Sequence, residues 1–328
     1  MRSAWLLIPA MLLLMSCGGH RVPAPIARIT EAPIPSFDHV FVVVEENESY
    51  ANVIGNTADM PYLNTLASRY GVATNYFANA HPSINNYFFL TAGRTGTYGP
   101  WTRKLSDEFP FSVGGDNIAS ILSAKGKSWK SYDESIPSVG YIGDDRLPYV
   151  KRHNPFAYFS TVRGSASQRR NIVPFEQLTR DLQANTLPDY AFIVPNLYND
   201  GHHDRETKRP AACGDHRALR AMDTWLRDKV NPLIESATFQ ASGLLIIVFD
   251  EACEYGPTAD WRFDPKKPEI RGGGQVPAII VSARTPPGTK SDKLYHHESV
   301  LRLSLRALGV DQLPGQAENS PDMNGFFR

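Results

Sequence analysis

Two acidic clusters and one serine carry the chemistry that this sequence can do. Glu45-Glu46-Asn47 follows the apolar run 40–44, and Asp250-Glu251 follows the apolar run 244–249. A carboxylate after a strand can simply cap the next helix. Two such clusters drawn to one sheet edge would repel each other unless a cation sat between them, so the pair predicts a metal site. The third element is His81-Pro82-Ser83-Ile84-Asn85-Asn86-Tyr87. Pro82 biases the residue before it toward an extended conformation, and a helical pattern begins just after Ser83. A serine at that position can be a cap. It can also be a nucleophile whose alkoxide a base or a metal makes less costly, beside amides and a helix dipole that attract an anion.

These groups need elements to hold them, and the hydrophobic pattern supplies a regular alternation. Residues 40–44 are a continuous β-branched and aromatic run, the mark of a strand buried on both faces. Residues 61–70 predict a helix closed by Gly71, 72–78 a second strand, and a helix runs from near Asn85 to Gly93. Helices are expected over 117–124 and over 174–184, the latter with Pro174 in its first turn. A strand over 190–194 and a long amphipathic helix over 216–234 follow. Residues 244–249 and 276–281 predict buried parallel-type strands, and a helix over 299–308 stopped by Gly309 closes the pattern. Strands separated by helices imply an α/β fold, a parallel sheet covered by helices on both faces. Ligands in such sheets gather at the carboxyl ends of the strands, which is where both acidic clusters fall.

Composition sets the outer bounds. The chain has 328 residues, 42% hydrophobic and 11% aromatic, which excludes a disordered or fibrous class. Lys plus Arg equals Asp plus Glu at 34 each, so no bulk charge argues for nucleic acid as a partner.

The N-terminus reads as a targeting segment. Arg2 is followed by the apolar stretch 5–15, too short to span a bilayer, and then by Ser16-Cys17-Gly18. That order resembles a secretory signal of the bacterial lipoprotein type, with Cys17 as the lipidated residue, and a plain cleaved signal is the alternative. The expected organisation is a signal segment over 1–17, a Pro- and Ala-rich tether over 18–36, and one catalytic domain over 37–328, exported and membrane-anchored. In an oxidising compartment Cys213 and Cys253 are permitted a disulfide. The sequence leaves a bridge and two buried thiols both open.

Taken together, the motifs resemble the bacterial and fungal phosphoesterase family of acid phosphatases and phospholipases C. The resemblance rests on His39-Val40-Phe41-Val42-Val43-Val44-Glu45-Glu46-Asn47, His81-Pro82-Ser83 with Asn86-Tyr87, and Lys151-Arg152-His153-Asn154-Pro155. It continues through Val194-Pro195-Asn196-Leu197 with Asn199-Asp200, Phe249-Asp250-Glu251, and His297 before Ser299-Val300-Leu301-Arg302. These run in order along nearly the whole chain after residue 37. The resemblance implies an alkaline-phosphatase-like, three-layer α/β/α fold around a mostly parallel sheet. It implies Glu46, Asn47, Asp250 and Glu251 as metal ligands, with Ser83 Oγ bridging metal and phosphorus and Asn86 donating to a phosphoryl oxygen. His81, His153, His202, His203 and His297 become candidates for holding phosphate or protonating the leaving group, with Asp200 and Asp204 beside them. The family spacing of Asn-Asp, one residue, then His-Asp is broken here by Asp200-Gly201-His202-His203-Asp204, and the acidic pair ends in Glu251.

The implied activity is metal-dependent hydrolysis of a phosphate ester through a phosphoserine on Ser83. An all-oxygen ligand set favours Ca²⁺, Mg²⁺ or Mn²⁺. A second metal on Asp200, His202 or His203, and His297 would point to zinc. The segments 135–168 and 253–275 are expected to rim the pocket, with Phe156, Tyr158, Tyr255 and Trp261 as aromatic candidates for leaving-group contact. No apolar patch or added lipid-binding module is evident, which favours a phosphomonoesterase over a phospholipase C or another phosphodiesterase. Two other classes are a lipid-anchored binding protein on the same fold and an acyl-transfer hydrolase. The intact ligand set opposes the first, and the absence of a Gly-x-Ser-x-Gly elbow at Ser83 opposes the second.

Overall fold

In the computed structural model of the chain, residues 33–95, 112–253 and 272–328 are described. Eight strands make one sheet: β1 (His39–Glu45), β2 (Gly71–Ala73), β3 (Trp129–Asp133), β4 (Ile172–Pro174), β5 (Tyr190–Val194), β6 (Gly243–Phe249), β7 (Ala278–Val281) and β8 (Thr289–Ser291), in the spatial order β4-β3-β5-β1-β6-β7-β2-β8. From β4 to β6 every pairing is parallel. β7 runs antiparallel to both β6 and β2, so the expected parallel strand over 276–281 is corrected in direction and shortened. An antiparallel strand starts at the sheet edge where its neighbour ended, so β7 can pair with β6 without the crossover that a parallel partner requires.

β5 and β6 are buried along their whole length, as is β1 after His39. A strand buried on both faces reads as an unbroken apolar run, and that is how 40–44 and 244–249 read in the sequence. The covering helices pair off: Ser83–Ala92 packs on His297–Ala307, and Pro61–Arg69 packs on His216–Trp225. No described helix is long and apolar enough to cross a membrane.

Several boundaries move for identifiable reasons. The helix expected from Asn85 begins at Ser83, with Pro82 as its extended N-cap, and ends in the left-handed Gly93 as expected. Gly71 does not cap the Pro61 helix; Tyr70 does, and Gly71 opens β2, where a Cβ would lie 2.6 Å from the Phe326 ring. Pro174 ends β4 rather than starting a helix, which runs over Glu176–Gln183. The long helix after Asp215 is continuous but carries a π-turn over Leu226–Val230. The strand expected over 72–78 stops at Ala73, and Tyr76 and Phe77 make only isolated bridges.

Candidate active site

The parallel register of β1 and β6 builds the first half of the site. Glu45 lies opposite Phe249, and Asp250 N–H donates to Glu45 O at 2.9 Å, so the next residues on both strands emerge side by side. Asn47 adopts a left-handed backbone (φ 51°), one of the few non-glycine residues to do so, and its amide donates to Asp250 Oδ1 at 3.1 Å. Its side-chain amide donates to Glu46 Oε2 at 2.8 Å. The two acidic clusters predicted to meet do meet. From β5, on the other side of β1, Asp200 O accepts the Glu46 amide at 2.8 Å and brings the loop 196–204 to the same edge.

Ser83 arrives from the third direction. Asn86 grips the loop before it, accepting from the amides of Asn79 (3.1 Å) and Ala80 (3.0 Å) and donating to Ala80 O (2.6 Å). Ser83 Oγ then points at carboxylates, donating to Glu46 Oε2 at 3.2 Å and to Glu251 Oε1 at 3.4 Å. No side chain caps this helix. The hydroxyl is therefore not the helix cap that a serine at such a position often is. It is buried between two acids.

The histidines divide by partner. His81 Nδ1 lies 3.0 Å from Glu251 Oε2. His153 is wedged between Glu46 Oε1 (3.3 Å) and Asp200 Oδ2 (3.4 Å) and stacks on Tyr87 at 5.4 Å. His202 lies 6.2 Å, ring to ring, from His153, and His203 stacks behind it at 4.7 Å, so His202 is the one nearer the cluster. His297 Nε2 contacts Asp250 O at 2.7 Å and its Nδ1 contacts Tyr76 Oη at 2.9 Å, which makes it a buried strut behind the Asp250 backbone. The contacts of Asp204 are with its own loop, through the amides of Glu206 and Thr207, and with Arg217 at 2.8 Å; none is with the Ser83 cluster. Phe156 and Tyr158 are core rather than rim: Phe156 stacks on Trp129 at 4.8 Å and Tyr158 packs edge-on to Phe88. Tyr255, Trp261 and Cys17 lie outside the described residues.

Tyr87 is the group that sequence reasoning passed over. Its hydroxyl donates to Glu46 Oε1 at 2.6 Å. The signal was present: Ser83, Asn86 and Tyr87 stand at i, i+3 and i+4 and share one helix face. Cys213 and Cys253 form a disulfide, which decides the pairing that the sequence left open and ties the loop after His203 to the segment after Glu251.

Electrostatics follow from burial. Glu46 and Asp250 are raised well above the usual carboxylate range, first by desolvation and then by acidic neighbours, Asp250 acting on Glu46 and Glu251 on Asp250. Burial also raises Asp200. It pushes His153 well down and takes His202 to about 4, with His203 adding to the latter shift. Burial disfavours both the carboxylates as anions and the imidazoles as cations, so ionising the acids calls for a positive charge beside them. Asp250 Oδ2 is fully buried and accepts no hydrogen bond.

A divalent cation fits that donor set. Glu46, Asn47, Asp250, Glu251 and Ser83 are linked by short contacts and carry oxygen donors, the chemistry of a hard metal. Among the described residues, the group of three His, Cys, Asp or Glu ligand atoms drawn within 4.8 Å of one another is Glu48, Cys213 and Cys253, so the site carboxylates stand wider. Oxygens on opposite sides of a Ca²⁺ at about 2.3–2.6 Å are themselves about 5 Å apart, and such spacing is compatible with a shared ion.

Comparisons with known proteins identify the family. The phosphoesterase family model matches residues 56–310, a span that contains Ser83, the Asp200 loop, Asp250-Glu251 and His297. A Kluyveromyces lactis protein named "probable acid phosphatase" is 31% identical over 81% of the chain, which spans only 57% of that protein's length. A Mycobacterium tuberculosis phosphatidylinositol-3-phosphatase is 28% identical over 92% of the chain and 87% of its own. Among solved structures, a Vibrio parahaemolyticus protein of the alkaline phosphatase superfamily superposes with a TM-score of 0.55 at 15% identity, over 85% of this chain and 68% of the other, and shares the fold. On the family match, and with its residues standing as described, the chain belongs to the phosphoesterase family.

Proposed function

We propose that the chain hydrolyses phosphate monoesters, using Ser83 as nucleophile and a divalent cation held by Glu46, Asn47, Asp250 and Glu251. The observation that carries the reading is Ser83 Oγ, buried at a helix N-terminus, uninvolved in capping and directed at Glu46 and Glu251. The names of the related acid phosphatases and phosphatidylinositol-3-phosphatase support phosphoester hydrolysis.

Phosphate esters resist attack because nucleophile and phosphate are both electron-rich. When bound, a cation would offset equatorial charge on the phosphoryl group and favour the ionised hydroxyl. The protein's own groups do the rest. The hydroxyl proton faces the oxygens of Glu46 and Glu251, its nearest acceptors. The N-terminal end of the Ser83 helix presents the positive end of its dipole to an incoming anion. His202, disfavoured as a cation by burial, serves near neutral pH as an N–H donor that orients phosphate, while His153, held between Glu46 and Asp200, positions those two carboxylates. Attack by Ser83 gives a phosphoserine and releases the alcohol, and water then frees phosphate. His297, Tyr76 and Asn86 keep the reacting groups in register by holding the Asp250 backbone and the loop before Ser83.

The proposal extends to location: residues 1–17 as a lipoprotein-type signal with Cys17 lipidated, 18–36 as a tether, and 37–328 as the exported catalytic domain. Hydrolysis of generic phosphomonoesters and phosphodiesters, with and without chelator, tests the activity. Monoester turnover that chelator abolishes is the expected result. Preferential diester cleavage would convert the reading to a phosphodiesterase, and no phosphate release from either would end it.

A further inference from the structure

Beside the acidic cluster, and separate from it, lies a group of a different chemical character. Cys213 is exposed, Cys253 is half-buried, and Glu48 is buried beneath them. Cys253 Sγ lies 3.7 Å from Glu48 Oε2, and the two Cα atoms of the cysteines are 5.4 Å apart. Asn52 reaches over all three with its side-chain amide, 2.9 Å from Glu48 Oε2, 3.1 Å from Cys213 Sγ and 3.4 Å from Cys253 Sγ. The Gly214 amide donates to both oxygens of Glu48 at 2.9 and 3.1 Å, so the carboxylate cannot swing away.

We propose that Glu48, Cys213 and Cys253 are a latent site for one thiophilic divalent cation such as Zn²⁺, closed in the disulfide form and opened by reduction. The geometry is the argument. Tetrahedral zinc with Zn–S near 2.3 Å and Zn–O near 2.1 Å separates a sulfur from an oxygen ligand by about 3.6 Å, and Cys253 and Glu48 already stand at 3.7 Å. The same geometry needs about 3.8 Å between the two sulfurs, which side-chain rotation supplies without moving Cα atoms 5.4 Å apart. Three protein ligands leave a fourth position for water. The Asn52 N–H groups would support the thiolates as an outer hydrogen-bond partner. The exposed Cys213 side gives both reductant and metal a way in.

The redox balance is simple. A dithiol reductant transfers two electrons to the Cys213–Cys253 bond and becomes its own cyclic disulfide, leaving two cysteine thiols. Metal binding then releases their two protons to solvent.

Cobalt is the probe that separates this site from the oxygen ligands near Ser83, because only sulfur ligation produces a thiolate-to-cobalt charge-transfer band. The full chain, reduced and kept anaerobic, should take one equivalent of Co²⁺ with that band. The oxidised chain should show none. Zn²⁺ should displace the cobalt and remove the band. Cys253→Ser should abolish it, and Asn52→Ala should weaken cobalt binding by about 10–100-fold, as loss of an outer-shell partner does. Glu48→Gln should weaken it at least as much. Circular dichroism of the reduced chain reports whether it keeps its fold. A reduced chain without the band, folded or unfolded, overturns the proposal. So does a band that is undiminished in Glu48→Gln or that persists in Cys253→Ser.

Discussion

Replacing Ser83 by alanine separates the proposed nucleophile from everything around it. The hydroxyl caps nothing, since Pro82 is the N-cap and no side chain closes that end. What the variant loses is two long hydrogen bonds, at 3.2 and 3.4 Å, to carboxylates that keep other donors: Asn47 and Tyr87 on Glu46, and Asn86 on Glu251. A net hydrogen bond is worth about 1 kcal/mol. The expected change in stability is thus within about 1–2 kcal/mol, or roughly 2–4 °C in melting temperature for a domain of this size. Alanine is also a better helix former than serine, which reduces the loss further. Turnover should respond on another scale. Water would have to replace an oriented oxygen already fixed at the reaction centre, and each factor of ten corresponds to about 1.4 kcal/mol of lost transition-state stabilisation. A drop of several orders of magnitude is expected, measured as release of p-nitrophenol from its phosphate ester beside a thermal melt of the same sample. The wild type, quenched in acid during turnover, should carry phosphate on the peptide containing Ser83. Activity retained within about tenfold, or no trappable phosphopeptide, refutes the covalent route and leaves direct attack by water.

Glu46→Gln or Asp250→Asn should lose bound divalent metal and nearly all activity while remaining folded; undiminished metal by elemental analysis in both would overturn the ligand assignment. Asp133, whose carboxyl burial pushes up to about 8 from 3.8, gives a pH prediction of definite sign. The folded state binds its proton more tightly than the unfolded state, so stability falls as pH rises from about 4 to about 8. In chelator-treated protein, Asp133→Asn should flatten part of the decline in melting temperature between pH 5 and 9, and identical slopes would show that Asp133 does not titrate in this way. Asp204→Asn, because its contacts are with its own loop and Arg217, should keep kcat/KM within about threefold, whereas Asp200→Asn should not; equal losses in steady-state kinetics would place Asp204 in the site. Cys17→Ser should abolish lipid labelling and release the protein from the membrane fraction. An unlabelled wild type, with the variant still membrane-bound, would remove the lipoprotein reading.

The central strands were legible in the sequence because a strand buried on both faces has no alternation to hide. Residues 40–44, 190–194 and 244–249 each run without interruption, and each is a strand of the parallel core. β3, β4 and β8 were not legible. Lys130 in β3 and the exposed Lys290 in β8 interrupt short segments whose strand character comes from their neighbours in the sheet. The direction of β7 was likewise invisible, since an apolar run of four residues looks the same either way and only pairing with β6 and β2 decides it.

The site divides along the same line. That Glu46-Asn47 and Asp250-Glu251 should converge followed from local sequence, because both stand directly after core strands and a parallel sheet carries all such ends to one edge. What each histidine does could not follow from it. His297 supports Asp250, His202 lies nearer the cluster than His203, and His153 reaches Glu46 from a short helical turn, because loops far apart in sequence pack there and burial leaves each ring only certain partners. The same holds for Ser83. Whether its hydroxyl caps a helix or faces two acids depends on where Glu46 and Glu251 lie in space, 37 and 168 residues away along the chain. Sequence placed the reactive groups on elements. Tertiary packing chose their neighbours, and with buried charge it is the neighbours that determine the chemistry.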